Sequence, residues 1–139
     1  MENYIIPTVG ILIMKNEKVL LVRHGESAEH LNGKYGLPAG RIQDNESAKE
    51  AAQRELKEET GLVADFDGLI LLPGEWLAAI ERKDGAKQFA LTVFLADKFK
   101  GQISGNAETM PEWINIDSLD KYDLLPNVEN IIKEGLKTR

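Results

Sequence analysis

Apolar residues fill most positions from Tyr4 to Met14 and again from Lys18 to Arg23, with the polar Lys15-Asn16-Glu17 between them. The pattern predicts two strands around a turn. Glu26 to Gly36 is polar and predicts a loop. Farther along, Ala48, Ala51, Ala52 and Leu56 recur at helical spacing. They predict a helix whose apolar face is built of small residues, able to lie close against a sheet. Ser47 followed three residues later by Glu50 is a capping box and marks the helix start, while Gly61 before apolar Leu62 marks its end. Leu62 to Leu72, Glu75 to Glu81 and Gln88 to Asp97 predict further strands, the last two joined by a hairpin at Arg82-Lys83-Asp84-Gly85. Trp113 to Ile116 predicts a short strand, and Asn127 to Lys137 a closing helix with Pro126 or Asn127 at its start.

Composition narrows the class. The chain has 139 residues, the size of one domain spanning 1–139. With 42% apolar and 29% charged residues it reads as an ordinary globular protein. No cysteine is present, which excludes disulfides and thiol chemistry. No apolar run reaches the length of a membrane span, and the N-terminus lacks a basic-plus-apolar signal pattern, so a cytoplasmic location is expected. A net charge of −6 without a basic patch argues against a nucleic acid polymer or an anionic membrane as partner. It leaves small nucleotides open, because a bound cation reverses charge locally. A homodimer is also left open.

The helix carries the chemistry. Glu55, Glu58 and Glu59 stand at i, i+3 and i+4, so they cluster on one side, away from the alanines. Three carboxylates so placed repel one another and invite a cation. Hard oxygen ligands suit Mg2+ or Mn2+. Such a site can hold phosphates and activate a water, as a pyrophosphate hydrolase requires. The bland reading is a solvated charged helix whose acids pair with Lys49 and Lys57. That reading does not require Gly40, Gly61 or the Arg54-Glu55 pair at their spacings.

Residues 40–62 contain Gly40, Glu46, Arg54-Glu55-Leu56, Glu58-Glu59 and Gly61-Leu62. Letters and gaps match G-x5-E-x7-R-E-U-x-E-E-x-G-U, with U apolar, at every fixed position. Seven fixed letters at background frequencies give a chance match rarer than roughly one in 10^7 per starting position. The segment resembles the box of the Nudix hydrolases. The resemblance implies an α/β fold, the Nudix α/β/α sandwich with a mixed sheet between helices. It implies metal ligation by Gly40, Glu55, Glu58 and Glu59 around Mg2+ (or Mn2+). Arg54 matches the arginine that braces the loop–helix unit, with Glu46 as its expected partner. Glu108, on the loop before the last strand, matches a further family carboxylate, so Glu55 and Glu108 are both candidates for the general base, and Glu112 is the rival of Glu108.

Substrate signals are mixed. Arg23 and His30 fall near the places where MutT-type members put an arginine and a histidine that contact phosphate. Asp123 and Asn127 approximate an acid and an asparagine that read an oxidised guanine there. Asn127 also fits a helix cap. The Leu-Pro-Ala-Gly lead-in at 37–40 resembles ADP-ribose hydrolases. Trp76, Phe89, Phe94 and Trp113 could stack a base or fill a core. Arg23-His24-Gly25-Glu26 also resembles the histidine phosphatase signature, but that chemistry needs a distant second histidine, and the chain has only His24 and His30. The expected function is hydrolysis of a nucleoside triphosphate, including oxidised or non-standard ones, to the monophosphate and pyrophosphate. The alternatives are an ADP-ribose or other nucleoside-diphosphate hydrolase, and a nucleotide-sensing module that has lost turnover. Sensors lose box acids, and here all are present.

Overall fold

The computed structural model describes residues 4–25, 31–82, 85–106 and 108–139. The first apolar run does not stay in one sheet. Strand β1 (Ile5–Leu12) ends before Ile13, and β2 (Met14–Lys15) turns over Asn16 and Glu17 into β3 (Lys18–His24). Both turn residues have positive φ, 52° and 64°, as a two-residue hairpin demands. The single strand expected over Tyr4 to Met14 is therefore two, in two different sheets, and Ile13 is fully buried where they part.

The polar stretch expected as loop contains β4 (Tyr35–Gly36), which pairs with β3. Next comes β5 (Ala39–Arg41), antiparallel to β1 with Gly40 opposite Val9. Helix α1 (Ala48–Thr60) begins at Ser47 with both bonds of the capping box and ends at Gly61 in a left-handed conformation. Residues 62–72 are not one strand. They form β6 (Val63–Ala64), a 3-10 turn over Phe66–Gly68 and β7 (Leu69–Leu71). The Gly68 N–H bonds back to the Asp65 carbonyl at 3.0 Å, which closes a turn where the apolar letters suggested a run.

Strands β8 (Trp76–Arg82) and β9 (Gly85–Ala96) form the expected hairpin, its two-residue tip lying outside the described residues. Then follow β10 (Phe99–Lys100), against β6, and β11 (Thr109–Asn115), longer at its start than Trp113 to Ile116 suggested because it runs beside β3 for its full length. Ile116 itself opens a 3-10 helix through Lys121. Helix α2 (Val128–Thr138) closes the chain.

The larger sheet has the order β5-β1-β9-β7, with β8 also on β9. The pair β1–β9 is parallel and the others antiparallel, so the sheet is mixed. The second sheet is β11-β3-β2, with β4 on β3. Alternate residues of the same strands feed two cores. Val9, Ile11, Leu20 and Phe94 pack with Ala51, Ala52 and Leu56 of α1. Leu12, Leu21, Val93 and Leu95 pack with Val128, Ile131 and Ile132 of α2. Strands buried on both faces explain the near-continuous apolar runs, and the result is the expected α/β/α sandwich. Among the described residues no helix is long and apolar enough to cross a membrane.

Candidate active site

Helix α1 and strand β5 hold the acidic residues between them. Glu59, on the last turn of α1, accepts from the Ala39 N–H at 2.6 Å. One turn earlier, the Glu55 carboxylate lies against Gly40, where any Cβ would overlap it. Glycine at position 40 is what lets helix and strand approach this closely. Glu58 is more exposed, at 59% of its side chain.

Arg54 ties this unit together. Its Nε donates to Glu46 at 2.6 Å and its Nη2 to the other oxygen of the same carboxylate at 2.9 Å, a two-pronged pair. Nη1 donates to Glu55 at 2.7 Å and to Glu58 at 3.4 Å, and Nη2 also reaches the Arg41 carbonyl at 3.1 Å. Loop, β5 and α1 thus share one guanidinium, with Glu46 as the partner the sequence suggested. The Arg54 bond and the Gln43 N–H hold the Glu46 carboxyl down at about 2. The Glu46 bond in turn raises Arg54 further.

Glu55 and Glu59 are pushed the other way. Burial, followed by repulsion from Glu55 and Glu58, raises Glu59 to about 8 despite the Ala39 N–H. Burial also raises Glu55, against the pull of Arg54. Two carboxylates held up by burial, with Glu58 beside them on the same helix, form a donor set that a hard divalent cation would relieve. Among the described residues no three acidic, histidine or cysteine side chains close into a ready-made cage. Mg2+ does not need one, since it is bound through one or two carboxylates, waters and substrate phosphates. The residues present therefore fit such an ion.

Beside this acidic unit lies an open cavity of about 180 Å³. Ala39, Gly40 and Arg41 form one wall, Trp76, Phe89 and Leu91 of the β8–β9 hairpin another, and Asn127 closes it at α2. Among the described residues no carboxylate lines it. Space near 150 Å³ admits a benzene ring, so a flat ring system fits here.

The other expected residues are distributed as follows. Asn127 caps α2 by position, at φ 73°, but makes no side-chain cap bond. Its Nδ2 donates instead to the Leu77 carbonyl at 2.8 Å and fixes α2 to β8. Arg23 does not line the cavity. It stands opposite Tyr35 and lowers that phenol's pKa, while burial first and the accepting Glu112 carboxylate second raise it. Glu112 is thus engaged with Tyr35. His30 lies outside the described residues. Glu108 is exposed, and its carbonyl accepts from the Gly25 N–H at 2.9 Å. Asp123 is exposed and does not line the cavity either. Of the four aromatic candidates, Trp76 and Phe89 line the cavity, Phe94 is core, and Trp113 packs on Phe99 at 6.1 Å between centroids. Sequence reading missed the cavity as a whole, and its one signal was the aromatic pair flanking the hairpin.

Comparison with known proteins agrees with this geometry. Residues 5–135 match the NUDIX domain family. An 8-oxo-dGDP phosphatase of Danio rerio is 30% identical over 136 residues, covering 94% of this chain but only 38% of that protein. An 8-oxo-dGTP diphosphatase of Escherichia coli K12 is 26% identical over 124 residues, 89% of this chain and 90% of the relative. An ADP-ribose pyrophosphatase of Methanocaldococcus jannaschii is 28% identical over 137 residues, 96% and 76% of the two chains. Among solved structures, a MutT Nudix hydrolase from Burkholderia pseudomallei superimposes with a TM-score of 0.76 at 22% identity, covering 95% and 98%. A bifunctional Francisella tularensis enzyme with ADP-ribose pyrophosphatase activity, solved with AMP and a manganese ion, superimposes at 0.69 and 21% identity over 99% of this chain and 42% of its own.

Proposed function

The chain belongs to the Nudix family of hydrolases of phosphoric anhydride bonds, and on that premise we propose that it cleaves a nucleoside triphosphate to the monophosphate and pyrophosphate. One observation carries this reading: strand Ala39–Arg41 is a wall of the apolar cavity and at the same time the seat of Glu55 and Glu59. A base held in the cavity brings its phosphate chain to the carboxylates.

Gly40, Glu55, Glu58 and Glu59 would hold Mg2+ or Mn2+. A cation bound there neutralises phosphate charge and lowers the pKa of an attacking water. Arg54 positions two of the acids. Of the two candidate bases, place supports Glu55, which lies against Gly40 at the cavity's edge. Arg23 forms no ion pair among the described residues, so its charge is available to phosphate. Thr8, Phe89 and Asn127 line the space for the base.

ADP-ribose is the competing substrate, favoured by the Methanocaldococcus relative and the Ala39 lead-in. Product analysis under Mg2+ separates the two. The proposal expects monophosphate and pyrophosphate from triphosphates. A kcat/KM for ADP-ribose at least a hundredfold above that for any triphosphate overturns the substrate class. Glu58→Gln, which keeps size and removes charge, is expected to lose about 10^2- to 10^4-fold in kcat with the fold intact. Wild-type turnover in that variant would remove the metal assignment.

A further inference from the structure

Along β5 the side chains alternate between the two faces of the larger sheet. Gly40 stands opposite Val9, and a Cβ on it would meet the Glu55 carboxylate, so position 40 faces α1 and the box acids. Ala39 and Arg41, on either side of it, face the other way and line the cavity together with Val128 of α2. Arg41 is paired with Thr8, Thr8 with Leu91, and Leu91 with Trp76. Residues directly opposite one another share a face. The four thus form one row across β5, β1, β9 and β8, and all of them line the cavity. Arg41 ends that row at the edge of the sheet.

The root of this side chain is held, because the Arg41 carbonyl accepts from Arg54 Nη2 at 3.1 Å. The side chain itself is exposed, and among the described residues it enters no ion pair and no hydrogen bond. The polar groups around it differ. The Thr8 hydroxyl gives its proton to the Ala90 carbonyl at 3.0 Å, the Asn127 amide gives Nδ2 to the Leu77 carbonyl at 2.8 Å, and His24 is not free. A guanidinium offers donors only, set in a planar fork. Its complement on a flat ring is an edge with two neighbouring acceptors, as a 6-oxopurine presents at O6 and N7. A 6-aminopurine presents an amine beside N7, which sets donor against donor. The acids that draw the phosphate chain lie on the other face of β5, so it is the base that meets Arg41.

We propose that Arg41 is a specificity-determining residue, its guanidinium donating to O6 and N7 of a bound 6-oxopurine. This rests on the nucleotide reading above and adds to it a class of base and the side chain that selects it.

The test compares GTP and ITP with ATP, and GTP with 7-deaza-GTP, which lacks the N7 acceptor, all under Mg2+. Wild type is expected to favour both oxopurines over ATP by about ten- to a hundredfold in kcat/KM, mainly through KM, and GTP over its 7-deaza analogue by about tenfold. Arg41→Met should bring both ratios to within about threefold of one. Arg41→Gln should bring the ratio of GTP to ATP at least as low, since an amide pairs with N6 and N7 of adenine. Arg41→Lys, which keeps the charge and loses the fork, should fall between Arg41→Met and wild type. Each variant should keep the rise in melting temperature with Mg2+, which reports an intact fold and intact box acids. Calorimetric titration with GMP and AMP should show the same preference without turnover, and its loss in Arg41→Met. If Arg41→Met lowers kcat/KM for every substrate by one common factor and leaves the ratios in place, the guanidinium serves phosphate and the inference is overturned. It is overturned equally if wild type does not distinguish GTP from ATP; in both cases triphosphate turnover upholds the proposed function. Absence of binding and turnover with every nucleotide overturns both.

Discussion

Arg54 shows how a single side chain can convert a sequence spacing into a site. It lies eight residues after Glu46 and directly before Glu55, and it holds both, so loop and helix cannot move apart without breaking charge-assisted bonds. The pairing should appear in acid unfolding. Glu46 titrates at about 2 in the folded chain against an ordinary 4.5. A folded pKa below the unfolded one gives stability that is complete above about 4.5 and lost as the pH falls towards 2. Glu46→Gln should lack that component. Its urea midpoint is expected to lie below wild type at pH 6, and the gap should narrow as the pH is lowered from 5 to 2. A gap that stays constant over this range means that the pair contributes nothing through ionisation.

At the scale of elements, Asn127 joins α2 to the β8–β9 hairpin by a hydrogen bond that its side-chain amide donates from a left-handed backbone. Two substitutions separate those contributions. Asn127→Gly removes the tether but adopts φ 73° without strain. Asn127→Ala removes the tether and adds the left-handed penalty, about 1–2 kcal/mol. Alanine should therefore be the less stable of the two in urea unfolding, while both weaken nucleotide binding alike; equal stability would show that the backbone there is relaxed. The same contrast explains which elements were legible in the sequence. Helix α1 was readable to the residue, because Ser47, Glu50 and Gly61 act on their own neighbours. The division of residues 4–14 between two sheets was not, because β1 is held beside β9, far along the chain. Nor was the length of β11, which β3 sets. The acids of the box and the Arg54–Glu46 pair were legible because they sit on one helix and its lead-in. The cavity was hidden because its walls come from β1, β5, β8, β9 and α2, each contributing residues that look like ordinary core.

The whole molecule places a cost next to its site. Glu59 is half-buried with Glu55 and Glu58 nearby, and its raised pKa states that the folded chain resists carrying this charge. A cation bound to the folded state alone would offset the repulsion and stabilise the entire fold by mass action. At a concentration a hundred times its dissociation constant the gain is about 2.7 kcal/mol, which for a domain of this size is roughly 10 °C in Tm. We expect Mg2+ or Mn2+ at low ionic strength and pH 7.5 to raise the melting temperature by that order, and sodium chloride at matched ionic strength to do much less, since screening acts weakly on buried charges. Glu58→Gln should lose most of the Mg2+ response while melting at or above wild type without metal, because one repelling charge is gone. Equal responses to Mg2+ and to matched salt would mean that α1 is a solvated acidic helix, and the hydrolytic reading would lose its physical basis along with the metal.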